Sequence, residues 1–331
     1  MVIFLDRSMK TLAFECTAHT FGVSVVSDKI LSDIRYQYTN EEKGIIPNEA
    51  AEYIKKIREK ALDEALKEAK VSIEDIDFFS ISQGPGLPLS LYAGLNFVKE
   101  LSLKYKKPLI GVNHLVGHLE IGKFLTKVKD PVFILATGAN TQIIAFEGGK
   151  YRVFGECLTI GIGNALDKFG RTIGLGFPAG PKIEELAKKG SYVELPYVVK
   201  GMDVEFSGIV TRAGQLKDKE SKEDLCFSLQ ETCFAMLTEV SERAMAHTGK
   251  KELLLIGGVA ANQRLISMLE TMCKERGCKF DVVPMKYSGD CGSQIGVQGL
   301  LEYKNEKFNS EEIKKLDIKP GWRVEEVDID Y

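Results

Sequence analysis

The feature that most narrows the fold is a unit that occurs twice. Leu12 and Phe14, then Phe21, Val23 and Val25, recur at every second position, as expected of half-buried strands. A small polar turn, Cys16-Thr17-Ala18-His19-Thr20, lies between them, and a third strand is expected over 30–38. The same order returns near residue 132. An apolar strand at 132–136 runs into the turn Thr137-Gly138-Ala139-Asn140-Thr141, then come a strand at 142–146, a Gly148-Gly149 hairpin and a strand at 151–155. The separation of roughly 120 residues lies far beyond solenoid periods. It predicts two domains of one architecture, each opening with a β-meander, and a length of 331 residues suits two domains.

Helical periodicity fills the remainder. Helices are expected over 48–71, 91–105, from the capping residue Asn113 to about 125, and over 223–248 with Gly249 just past the end. Buried strands are expected at 78–81, 109–112 and 253–256, with Gly257-Gly258 opening the next helix and Asp290 starting a last major helix that ends near Tyr303. Alternating strands and helices make the chain α/β. Without a low-complexity linker, the domains are expected to pack closely around a cleft.

Charge excludes some functions. Lys and Arg number 44 against 47 Asp and Glu, so no global basic field exists for gripping nucleic acid. One local stretch, 99–129, carries seven Lys against two Glu. The 7 Cys are scattered, which suits a reducing compartment and offers no paired CxxC zinc site. No apolar run is long enough to span a membrane. The start, Met-Val-Ile-Phe-Leu-Asp-Arg, is too short and too acidic for a signal peptide. A cytoplasmic protein without a membrane is expected.

Four motifs carry candidate chemistry. Asn113-His114-Leu115-Val116-Gly117-His118 places two of only 4 His at i and i+4, on one helix face, which suits a divalent metal. Two ordinary surface or capping His are the plainer reading. Leu115 stands where a His-Glu-x-x-His protease carries its general base, so that mechanism is disfavoured. Gly-rich turns follow apolar strands at Gln83-Gly84-Pro85-Gly86-Leu87, Thr137-Gly138-Ala139-Asn140, Phe177-Pro178-Ala179-Gly180-Pro181 and Gly257-Gly258-Val259-Ala260-Ala261-Asn262. Such turns let backbone N–H groups approach phosphate, although most are plain connections. Neither a Walker A motif nor a G-x-G-x-x-G after a strand is present. Asp167 and Glu184 are candidate polar contacts to a substrate, or simply a solvated helix residue and a first-turn acid. Asp290 is either a helix N-cap or a third, carboxylate ligand beside the His pair. His19 and His247 are read as ordinary.

Together these residues resemble the TsaD/KEOPS catalytic-subunit family of tRNA threonylcarbamoyladenosine biosynthesis. The resemblance runs from Leu12-Ala13-Phe14-Glu15-Cys16-Thr17-Ala18-His19-Thr20 to Pro320-Gly321-Trp322-Arg323, through Asn140-Thr141-Gln142, Phe206-Ser207-Gly208 and the motifs above, and Val199-Lys200-Gly201-Met202-Asp203 resembles the archaeal branch. It implies a duplicated actin/hexokinase/Hsp70-like two-domain α/β fold with a nucleotide cleft. The expected parts are an N-terminal subdomain over 1–130, a C-terminal one over 131–305, and a tail over 306–331 packing back on the first. It implies transfer of threonylcarbamoyl from its adenylate to the adenosine following the anticodon. His114, His118 and Asp290 would hold one divalent metal, iron by the resemblance, with zinc or magnesium as alternatives. Leu135, Ala136, Thr137, Gly138, Ala139, Asp167, Gly180, Glu184 and Asn262 would hold the adenylate or ATP. Implied partners are tRNA and KEOPS-type subunits: a small atypical kinase, a dimerising subunit and a small regulatory subunit.

Some positions depart from the family pattern. Leu135 stands where a Tyr is usual as a further ligand, Ala139 and Ala179 replace Gly, Cys16 replaces Gly, Cys291 replaces Asn, and Thr159 replaces Asp. An added Cβ closes off a turn that needs positive φ. The alternatives are therefore a nucleotide-binding scaffold paralogue in a KEOPS-like assembly, or a small-molecule kinase of the same fold.

Overall fold

The computed structural model describes residues 9–40, 44–304 and 307–331, so the Met1–Arg7 segment lies outside the described residues. The strands are β1 (Thr11–Glu15), β2 (Thr20–Val26), β3 (Ile34–Gln37), β4 (Phe78–Gly84), β5 (Leu109–Asn113), β6 (Val132–Ala136), β7 (Thr141–Glu147), β8 (Lys150–Glu156), β9 (Val199–Lys200), β10 (Asp203–Val204), β11 (Glu252–Ile256) and β12 (Lys279–Val282). The helices are α1 (Pro47–Ala69), α2 (Pro88–Tyr105), α3 (His114–Thr126), α4 (Ile162–Thr172), α5 (Gly180–Ala187), α6 (Ser207–Gln215), α7 (Lys222–Thr248), α8 (Gln263–Glu275), α9 (Gly292–Glu302) and α10 (Ser310–Lys315).

Two compact units result. The first holds the described residues up to Phe124 together with Asp290–Tyr331, and the second holds Leu125–Gly289. The first sheet has the order β3-β2-β1-β4-β5, and the second the equivalent order β8-β7-β6-β11-β12. In each, the first three strands form an antiparallel meander and the next two add in parallel. The repeated strand–turn–strand unit is thus the start of a duplicated α/β fold.

One boundary differs from the sequence expectation. The sequence pattern places residues 290–305 in the second domain, but α9 falls in the first unit. Ser293 Oγ reaches Ser24 Oγ at 3.1 Å and donates to Asp33 Oδ1 at 2.8 Å. A Cβ on Gly296 would lie 2.4 Å from Val26, so α9 seats directly on β2. This buries the second face of β1 and β2, and every residue of both strands is buried rather than every other one. On the opposite face Phe14 packs against Phe21, Phe79 and Phe97, with ring centroids 6.1–6.4 Å apart.

Local chemistry sets several helix ends. Pro47 opens α1, Ser221 caps α7 by accepting from Asp224 N, and Gly249 closes α7 in the left-handed conformation. Three local expectations are corrected. The third strand begins at Ile34, because residues 27–32 fold into a turn in which Leu31 N donates to Val25 O at 2.8 Å. Gly258 starts a 3-10 turn, and α8 begins only after Asn262, whose Oδ1 accepts from Arg264 N and Leu265 N. Cys291, not Asp290, occupies the N-cap position of α9. Among the described residues no helix is long and apolar enough to cross a membrane.

The C-terminal residue docks on the first unit. Gln298 Nε2 donates to Tyr331 Oη at 3.0 Å and also to Glu302. Burial, with Asp330 and Glu120 nearby, pushes the Glu302 carboxyl up to about 7. Its folded-state value exceeds its unfolded one. The contribution to stability is therefore complete below the usual carboxylate range and is lost as pH rises through about 7. Glu302→Gln is expected to gain about 2 kcal/mol over the parent at pH 8 and little near pH 4.5. Urea unfolding at the two pH values checks this, and equal gains at both would exclude Glu302 as the titrating group.

Candidate functional site

The metal-ligand candidates converge within the first unit. Asn113 ends β5, and its Oδ1 accepts from Leu115 N at 2.9 Å and Val116 N at 3.1 Å, which starts α3 at His114. The i, i+4 spacing sets the two imidazoles face to edge, with centroids 4.7 Å apart. Between them Gly117 lets α9 approach, since a Cβ there would stand 3.2 Å from the Gln294 carbonyl oxygen. That approach brings in Asp290, just before α9. Its Oδ1 lies 3.3 Å from His118 Nε2 and 3.5 Å from His114 Nε2, and one ligand atom from each residue falls within 4.8 Å of the others. His118 is fully buried and His114 nearly so.

The donor set fits a cation. Two imidazole nitrogens and a carboxylate oxygen, all lone-pair donors, face one point, and without a shared proton or a cation they repel. Two His and one carboxylate with open positions suit a catalytic divalent metal more than a closed structural site. Electrostatics reflect the crowding. Burial opposes a charge on Asp290, but the hydrogen bond to His118 and the nearby His114 and His19 hold its carboxyl below the usual range. Burial also opposes charge on His114, yet the Glu15 carboxylate outweighs it and raises His114 to about 9. Burial lowers His118.

Glu15 and Gln294, to which the sequence assigned no role, complete the surroundings. Glu15 Oε2 lies 2.9 Å from His114 Nδ1, and Gln294 Nε2 lies 3.0 Å from the same atom. The signal for Glu15 was one carboxylate closing an apolar strand. Nothing local marked Gln294.

The adenylate candidates lie in the second unit. Leu135 and Ala136 are fully buried in β6, between β7 and β11, so neither side chain is available and the loop proper starts at Thr137. Thr137 closes a tight turn with Asn140, and the carbonyls of Thr137 and Gly138 accept from Gly163 N at 3.2 Å and Asn164 N at 2.9 Å. The turn therefore caps α4. Asp167 Oδ1 accepts from Ala179 N at 2.8 Å, holding the turn that leads into Gly180 and α5. Glu184 Oε1 accepts from Gln263 N at 2.8 Å, and Asn262 Nδ2 donates to Gln230 at 2.9 Å while its Oδ1 caps α8. Thr137, Gly138, Asp167, Glu184 and Asn262 thus each make a hydrogen bond that serves the fold. The Gln83–Leu87 turn is different. Gly86 N donates to Pro320 O, Leu87 N to Thr17 O, and Lys319 N to Gln83 O, so the C-terminal tail occupies it.

Four of the departures are absorbed. Neither Ala139 nor Ala179 has positive φ, so an added Cβ strains neither turn. Ala179 Cβ fills the space left by Gly170, and the Cys16 thiol fills that left by Gly94. Burial pushes the Cys16 and Cys291 thiols up, so both are inert packing groups.

Comparison with known proteins supplies the context. Residues 24–297 match the TsaD family model, described as tRNA N6-adenosine threonylcarbamoyltransferase. The tRNA N6-adenosine threonylcarbamoyltransferase of Thermococcus sibiricus is 50% identical over 329 residues, covering 98% of this chain and 100% of that one. A probable bifunctional tRNA threonylcarbamoyladenosine biosynthesis protein of Methanocorpusculum labreanum is 46% identical over 97% of this chain and 61% of its own length. Among solved structures, full-length HypF in a phosphate- and nucleotide-bound form is similar with a TM-score of 0.63 at 11% identity, over 92% of this chain and 48% of HypF. That likeness is one of fold: the duplicated actin/hexokinase-like architecture.

Proposed function

The chain belongs to the family of tRNA N6-adenosine threonylcarbamoyltransferases, and on that premise we propose that it performs this transfer itself, with His114, His118 and Asp290 as its metal ligands. The observation that carries the reading is the convergence of these three side chains, intact despite the departures elsewhere. The proposed donor is threonylcarbamoyl-adenylate. The proposed acceptor is the adenosine after the anticodon in tRNAs reading codons that begin with A. The amine nitrogen bonds to the carbamoyl carbon, the carbon–oxygen bond to phosphate breaks, AMP leaves with the electron pair, and the amine gives up a proton.

One divalent ion is proposed, Fe2+ by the resemblance and by the two-His, one-carboxylate donor set. When bound, it supplies Lewis-acid stabilisation of charge developing on acyl or phosphate oxygens. The chain's own residues do the rest. His114 and His118 present nitrogen ligands from one rigid helix face, and Asp290 supplies charge. The adenylate is proposed to bind at Thr137, Gly138 and Ala139, with Asp167, Gly180, Glu184 and Asn262, through backbone groups and the polar atoms that order these turns. KEOPS-type subunits are the proposed partners and the cytoplasm the proposed location.

Reconstitution tests the reading. Incubating the chain with tRNA, threonylcarbamoyl-adenylate and the partner subunits of an archaeal relative is expected to yield the modified nucleoside. No product, where the relative's own subunit works, rejects it. The chain alone is expected to hold tRNA weakly. In the 99–129 stretch Lys107 and Lys99 already donate to backbone carbonyls and Lys123 pairs with Glu120. Raising salt from 50 to 200 mM should weaken tRNA binding by roughly tenfold or more, read by filter retention.

A further inference from the structure

We infer that Glu15 is a positioning residue of the metal centre, holding His114 in the tautomer that turns a bare Nε2 toward Asp290 and His118. The inference rests on the reading of His114, His118 and Asp290 as metal ligands. It concerns a residue that stands on the Nδ1 side of His114, outside the group of three converging side chains.

Glu15 is fully buried at the end of β1. Among the described residues its one ion-pair partner is His114, and no Lys or Arg compensates it. A buried carboxylate is costly even when paired with an imidazole, and an apolar residue would serve a strand covered on both faces better. The burden therefore has another use. Both carboxylate oxygens are committed: Oε1 accepts from Thr17 N at 2.7 Å and from Thr17 Oγ1, and Oε2 faces His114 Nδ1 at 2.9 Å. Thr17 thus aims the carboxylate at the ring.

The tautomer follows from the network. Gln294 Nε2 also lies 3.0 Å from Nδ1, but it is a donor, and a protonated Nδ1 has nothing to accept with. The carboxylate is the stronger partner, so Nδ1–H donates to Glu15, and the Gln294 amide is left to the His114 carbonyl at 3.4 Å. In the neutral ring that binds a metal, Nε2 then carries the lone pair, on the side where Asp290 Oδ1 and His118 stand. A carboxylate behind a ligating imidazole fixes ring orientation and raises its basicity. The charges also close: Glu15 and Asp290 bring two negative charges to two neutral imidazoles, which one divalent cation balances. His118 has no such support, since its Nδ1 finds no hydrogen-bond partner among the described residues. The orienting interaction is concentrated on His114.

Glu15→Gln tests this, because the amide keeps the shape and an acceptor for Nδ1–H but loses the charge. Co2+ titrated into the metal-free full chain is followed by its visible absorption. The variant is expected to bind Co2+ roughly 10–100-fold more weakly. Its metal-free form should keep the parental far-UV circular dichroism, which separates a positioning loss from a loss of fold. Co2+ affinity within twofold of the parent overturns the inference, and so does a loss of affinity that accompanies loss of the far-UV signal, the mark of a merely structural residue. If Glu15→Gln does not fold, Thr17→Val decides: Co2+ binding weakened threefold or more supports the role, and unchanged binding overturns it. His114→Ala separates the two levels. If it binds Co2+ like the parent, the ligand reading itself fails. If it loses Co2+ while Glu15→Gln retains it, only the positioning role falls.

Discussion

His118→Ala is expected to lower threonylcarbamoyl transfer roughly a thousandfold, about 4 kcal/mol of transition-state stabilisation, while the chain stays folded. His118 is fully buried, and its Nε2 stands 3.3 Å from Asp290. Removing it leaves two candidate ligands where three had converged, too few to hold the proposed metal with open positions for substrate. Asp290→Asn is expected to act in the same direction, since it deletes the one charged member of the proposed ligand set. Single-turnover transfer and metal content after dialysis check both variants, with far-UV circular dichroism confirming the fold. A His118→Ala protein that retained more than a tenth of the parental rate would remove the centre from the reaction.

Gly257→Ala should cost about 4 kcal/mol, whereas Gly258→Ala, one residue on, should cost less than about 1 kcal/mol. Gly257 has φ +106°, where side chains are strained, and an added Cβ would lie 2.3 Å from the Ala136 carbonyl oxygen and 3.1 Å from Thr137 Cγ2. Neither neighbour yields easily, because Ala136 is buried in the central strand β6. A Cβ on Gly258 meets nothing within 4 Å. The two substitutions share chemistry and location, so the contrast isolates backbone conformation and close approach. Equilibrium unfolding in urea reads both, and equal losses would refute the steric account. Because Thr137 opens the proposed adenylate turn, weaker nucleotide binding should accompany the Gly257 loss.

The strands of both meanders were legible because apolar period is a local property, and β1, β2, β6 and β7 lie within the segments that alternate or run apolar. The His pair was legible for a similar reason, since i, i+4 spacing on a helix places two side chains on one face whatever surrounds it. Asp290 was legible only as one of two readings, a cap or a ligand. The structure puts its carboxylate against His118 and gives the N-cap position to Cys291. Asp167, Glu184 and Asn262 were legible as polar residues beside glycine turns. Their hydrogen bonds to Ala179, Gln263 and the first turn of α8 were not. The Gln83–Leu87 turn looked like its glycine-rich counterparts, and only the arrival of residues 319–320 distinguishes it.

By itself, the sequence determined the repeated meander, the α/β class, the metal-suited His pair and the family. Each of these depends on residue type within a few turns of chain or on motifs matched end to end. Tertiary structure alone decided that α9 returns to cover β1 and β2, that Glu15 is buried rather than solvated, and that it stands behind His114. The reason is range. A strand's alternation reports the neighbours it is built to face, but burial of its second face depends on a helix some 280 residues later, and no local periodicity encodes that closure.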